Sequence, residues 1–135
     1  MPASASFSQI ATNRVTITDA STDLFTIALA AGEGTGGIVY INTFATDGTD
    51  HARACGFATF SAVNKAGTIT AVITYDDAND AIAESGGTLT VDMTIADTTN
   101  QVTIRIDVAS SLTETTHYCD FAVQMLDPNH FPVLV

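Results

Sequence analysis

The chain has 135 residues and a mass of 14.0 kDa, enough for one hydrophobic core and too short for two. Four Lys and Arg stand against fifteen Asp and Glu, so the net charge is -11 and the isoelectric point about 4.1. The cations Arg14, Arg53, Lys65 and Arg105 are scattered along the chain. Displacing counterions from phosphates needs clustered cations, so neither a nucleic acid nor an anionic membrane is expected as a partner.

Hydrophobic residues make up 46% of the chain and charged residues only 14%, and 22 Thr fill much of the difference. Threonine joins a β-branched stem to a hydroxyl that tolerates water, which is the composition of half-exposed strands.

Residues 1–12 are small and polar and read as an N-terminal arm. Period-two alternation follows: Val15 and Ile17 between threonines, then Phe25, Ile27 and Leu29. Gly32 to Gly37 reads as a flexible hairpin loop. It looks at first like a phosphate loop, but no Gly-Lys-Ser/Thr ending follows and a strand comes next. Residues 37–46 are apolar on both sides and predict a covered strand, with Asp47-Gly48-Thr49-Asp50 as the loop after it.

Residues 57–63 and 68–75 form a predicted hairpin around Asn64-Lys65-Ala66-Gly67. The segment from Asp76 to Glu84 is expected to hold at most a helical turn or two. A second hairpin joins 89–96 to 101–108 through Asp97-Thr98-Thr99-Asn100. Cys119, Phe121, Val123 and Met125 share one face of a final strand. About eight strands therefore predict an all-β fold, an antiparallel two-sheet sandwich or jelly roll over residues 13–126.

Residues 127–135 form a Pro-broken apolar tail. Phe131, Pro132, Val133, Leu134 and Val135 are the candidate interaction residues, because Pro128 and Pro132 keep the tail from joining its own sheet as a regular central strand. Exposed apolar side chains favour burial against a neighbouring subunit, and the equal alternative is a tail that folds back and covers its own sandwich.

No catalytic, cofactor or metal site is expected. His51, His117 and His130 lack paired ligand spacing and read as solvent-facing. Asp47 with Asp50, and Asp76, Asp77 and Asp80 with Asn79, offer hard oxygen donors outside EF-hand spacing, and read as solvated loops. No nucleophile elbow is present, so the chain reads as non-enzymatic. Cys55 and Cys119 lack Cys-x-x-Cys spacing and are expected as free thiols. The N-terminus has neither a basic region nor an apolar run of leader length, so synthesis in a cytosol is expected.

The block from Gly56 to Thr68, then Ser85-Gly86-Gly87-Thr88-Leu89-Thr90-Val91, Asn100-Gln101-Val102-Thr103-Ile104 and Ser110-Ser111-Leu112-Thr113-Glu114-Thr115, resembles small β domains of tailed-bacteriophage virions. The likeness covers about residues 36–126. It implies a virion structural protein, and a standalone domain without a shaft points to the capsid surface. The expectation is a capsid decoration protein bound to the major capsid protein and to copies of itself, possibly as a trimer. The alternatives are a tail or fibre module and a carbohydrate- or receptor-binding sandwich.

Overall fold

The computed structural model describes residues 10–113 and 116–135. Its strands are β1 (Ile10–Thr16), β2 (Ser21–Ala28), β3 (Gly34–Thr46), β4 (His51–Lys65), β5 (Thr68–Tyr75), β6 (Ala81–Glu84), β7 (Leu89–Thr98), β8 (Gln101–Ser110), β9 (Thr116–Met125) and β10 (Val133–Leu134). Every pairing is antiparallel. One sheet runs β1-β9-β3-β4-β5, with β6 also on β4, and the other runs β10-β2-β8-β7. The fold is an all-β sandwich.

Among the described residues ten strands replace the expected eight, and the extra two come from segments read as irregular. Only Asp77–Asn79 of the acidic segment is helical, as a single 3-10 turn, while Ala81–Glu84 pairs with Ala52–Cys55. Four residues are too few to show a period, so neighbouring backbone decides their conformation. In the tail, Val133 and Leu134 pair with Thr26 and Phe25 of β2. The sandwich thus reaches past residue 126. It also starts earlier than residue 13, because Ile10 to Thr16 pair in register with Gln124 to Tyr118, leaving residues 1–9 of the expected arm outside the described residues.

Strand β3 likewise begins inside the glycine run, at Gly34. A Cβ on Gly37 would stand 2.5 Å from the Gln124 carbonyl oxygen and 3.1 Å from the Phe60 ring, so this glycine serves close strand packing and not loop flexibility.

The inward residues of both sheets make one core. Phe25 sits at its centre, fully buried, with its ring 6.2 Å from Phe60 of β4 and 6.1 Å from Phe121 of β9. One aromatic of the smaller sheet thereby contacts two strands of the larger. Small residues opposite it, Ala54, Ala58 and Ala62 on β4, let the sheets approach.

Asn64 ties three loops together at one end. Its Nδ2 donates to the Leu29 carbonyl (2.7 Å) and to Asn100 Oδ1 (2.8 Å), and its Oδ1 accepts from the Gly67 amide (2.8 Å). The hairpin beside it turns through Ala66 and Gly67, both at positive φ (53° and 92°), the twist that fits a two-residue connection.

Candidate interaction site

The tail is fixed by its backbone and by polar anchors, while its apolar side chains point outward. Val135 N donates to the Leu24 carbonyl at 3.3 Å, extending the β10–β2 pairing. Upstream, Asp127 Oδ1 accepts from the amides of Asn129 (2.8 Å) and His130 (3.1 Å), closing a turn. Asp127 Oδ2 accepts from the Thr35 hydroxyl at 2.6 Å, which pins this turn to the start of β3.

His130 completes the anchor and corrects the expectation of a solvent-facing ring. It is only 8% exposed, with Nδ1 3.0 Å from Asp127 Oδ1 and Nε2 3.3 Å from Glu33 Oε1. The second contact lacks the alignment of a hydrogen bond and acts as a charge contact. Burial disfavours the imidazolium, but the two carboxylates outweigh it and raise the His130 pKa. Burial pushes the Asp127 carboxyl the other way, yet the Thr35 hydroxyl, His130 and the turn amides bring its pKa down overall.

Outside this latch lie Phe131 (56% exposed), Val133 (62%), Leu134 (39%) and Val135 (64%), with Pro132 half-buried. Leu126 and Val63 are also exposed and border an open groove of about 580 Å³ along Gly34 to Gly37. The predicted residues are therefore together on one edge of the smaller sheet. Single apolar residues at a surface are ordinary, but four exposed ones on and beside a two-residue edge strand make a contact surface.

The other sequence candidates fall into separate places. His51 stacks on Phe44, with Nδ1 2.7 Å from Thr46 Oγ1. His117 corrects the same expectation of a solvent-facing ring: the alternation of β9 turns it inward with Cys119 and Phe121, so it is buried, 3.8 Å from Asp19. Asp47 Oδ1 accepts from the Thr49 and Asp50 amides, which hold its pKa low and shape the β3–β4 turn. Asn79 Nδ2 donates to Asp76 Oδ2, and the Tyr75 hydroxyl donates to Asp80 Oδ2, so these acids serve local turn structure. Among the described residues no three His, Cys, Asp or Glu side chains gather as metal ligands would. Cys55 is exposed on the outer face of β4, whereas Cys119 is buried in the core. The strand register sets them on opposite faces of one sheet, so both are free. Burial raises the Cys119 pKa to about 12.

Sequence reasoning missed one grouping. Arg14 and Arg53, 39 positions apart, both reach Tyr118. The Arg14 guanidinium lies 3.9 Å from the ring centroid, and Arg53 Nη2 donates to the hydroxyl at 2.9 Å. Neither residue's neighbours in sequence carry a signal of this; only the register of β1, β9, β3 and β4 creates it.

No family model and no curated protein matches the chain. Among solved structures, the fold is similar to part of the tailspike protein of Acinetobacter baumannii phage AM24, with a TM-score of 0.50, 5% identity and 96% of this chain covered. The tailspike protein of Acinetobacter phage vB_ApiP_P1 aligns over 93% of this chain with a TM-score of 0.41 and 15% identity. The chain spans 29% of the first protein's length and 22% of the second's.

Proposed function

We propose that the chain is a non-enzymatic structural β domain of a tailed-phage particle, a tail or fibre module that attaches through its C-terminal edge. The observation that carries this reading is the fold likeness to a segment of a tailspike protein over 96% of the chain. It favours the tail over the capsid surface, and it agrees with the virion resemblance of the Gly56–Thr68 and Ser85–Val91 blocks. A sandwich of this kind can be one module of a longer assembly, which needs a rigid body and a contact edge and no reaction centre.

The contact edge is the strip Phe131, Val133, Leu134 and Val135, of which Val133 and Leu134 form β10. Each of the four is about half exposed, so covering one Phe and three aliphatic side chains contributes about 3 kcal/mol gross, half of the ~1.5 kcal/mol for each full burial, before ordering costs are subtracted. The partner is a neighbouring virion subunit.

The test is location. Purified particles of the encoding phage are digested for mass spectrometry, and intact particles are labelled with gold-conjugated antibody against the domain. Label on the tail is the expected result. Label on the head would return the reading to capsid decoration, and absence from particles would overturn the virion role. A Phe131→Ser/Val133→Ser/Val135→Ser variant should keep the wild-type melt and lose incorporation, because these side chains touch solvent in the isolated domain.

A further inference from the structure

The two outer faces of the sandwich differ in charge. On the larger sheet, the outward residues of β1, β9, β3, β4 and β5 include three of the four cations, Arg14, Arg53 and Lys65. Among the outward residues of these five strands the one acid is Asp120, held by Arg14 through a two-point contact (Nε to Oδ1 2.6 Å, Nη2 to Oδ2 2.9 Å), while Glu84 of β6 borders the recess of Phe44 and Arg53, and Asp127 borders the groove beside Val63. In a chain of net charge -11 this is a cationic flank.

The same face carries Tyr40, Phe44, Phe57 and Tyr118, four of the ten aromatic residues. Tyr40 and Phe57 are paired neighbours and 44% and 39% exposed. Arg53 reaches over the Phe44 ring at 5.0 Å. Arg, Tyr and Phe are the residues enriched where proteins meet. A recess of about 550 Å³ opens beside them, bordered by Arg14, Tyr40, Asn42 and Cys55.

The opposite flank has the reverse character. On the smaller sheet, Asp92 of β7 and Asp107 of β8 stand directly opposite each other in the register. Like charges at such positions destabilise a sheet. Asp23 is paired with Arg105 (2.6 Å), but no ion pair reaches Asp92 or Asp107 among the described residues. This unfavourable pair sits at a shallow recess of about 270 Å³ with Ser21 and Thr90.

We propose that copies of this chain stack head to tail, the aromatic and cationic face of the larger sheet in one copy covering the Asp92–Asp107 face of the smaller sheet in the next. Arg53 then relieves the carboxylate repulsion that the isolated sheet carries. The smaller sheet offers three long strands, β2, β8 and β7; at a spacing of about 4.8 Å and a length of about 30 Å they give roughly 430 Å² per copy, so the pair buries on the order of 900 Å², the size of a weak, reversible contact. Such a contact is heterologous: a pair of copies keeps one unused face of each kind, and the assembly closes as a ring or continues as a row. The proposal does not depend on the tail edge, which stays intact in every variant below.

The test uses two variants of the whole chain, each checked for wild-type circular dichroism and a cooperative melt. Arg53→Asp/Tyr40→Glu spoils the cationic face and Asp92→Lys/Asp107→Lys spoils the acidic one. In sedimentation velocity the wild type should show concentration-dependent assemblies, and each variant alone should stay monomeric. Mixed in equal amounts, the two variants should associate again, because each brings the competent face that the other lacks. A wild type monomeric throughout the accessible concentration range overturns the proposal. So does a variant that assembles like the wild type, or a mixture that stays monomeric. If a variant fails to fold, Tyr40→Ser or Asp92→Asn/Asp107→Asn replaces it, with at least a tenfold weaker association as the expected reading and unchanged association as the refuting one.

Discussion

Replacing Asn64 by alanine tests whether a single buried amide holds three loops in register. Asn64 is only 3% exposed, and its side chain makes hydrogen bonds to Leu29 O, Asn100 Oδ1 and the Gly67 amide, all between 2.7 and 2.8 Å. At about 1 kcal/mol net for each bond, Asn64→Ala should cost roughly 3 kcal/mol. For a chain of this size that corresponds to a melting decrease of about 10 °C. Asn64→Asp keeps the acceptor for Gly67 but removes both Nδ2 donations and points a carboxylate at two oxygens, so its loss should be at least as large. Asn100→Gly removes one of the three bonds and suits the positive φ of 61° there, so it should cost about 1 kcal/mol or less. Urea unfolding followed by circular dichroism measures all three. A loss below 1 kcal/mol for Asn64→Ala, or an Asp variant as stable as the wild type, would refute the reasoning.

The His130 latch has a predictable pH dependence: with its pKa raised from 6.5, its contribution is complete below that value and disappears as pH rises through the folded value. Glu33 and Asp127 have pKa values lowered from 4.5 and 3.8, so their contributions are present above those values and disappear as pH falls through the lowered ones. Amide exchange of residues 127–135 should therefore be slowest between about pH 4.5 and 6.5 once corrected for intrinsic rates; an imidazole titrating below 6.5 by NMR would contradict this. Ala66→Asn should stabilise the domain by about 0.5–1 kcal/mol, because asparagine tolerates the left-handed conformation that costs alanine more; a lower urea midpoint would count against the turn geometry. Cys55 should react with a maleimide at the rate of an exposed thiol, while Cys119 should react only on unfolding; two thiols reacting equally fast in the native protein would place Cys119 outside the core.

The sequence alone determined the fold class, because alternation has a period of two and a strand with one wet face shows it directly. Val102, Ile104, Ile106 and Val108 between polar neighbours placed β8 to within two residues at its C-terminal end, and the turn residues around Asn64 and Asn100 located both hairpins. The composition of the tail likewise marked Phe131 to Val135 as apolar and edge-like. Whether those side chains face solvent was a matter of tertiary structure: β10 joins β2 through only two residues, and His130 is drawn inward by carboxylates 97 and 3 positions away. Short strands such as β6 have no period to read and take their conformation from the neighbour they pair with. The arginine and aromatic cluster on the larger sheet was equally invisible, since the strand register that brings Arg14, Arg53 and Tyr118 together depends on long-range pairing. Local pattern records which face of a strand is wet; only the packing of distant strands decides which residues share that face.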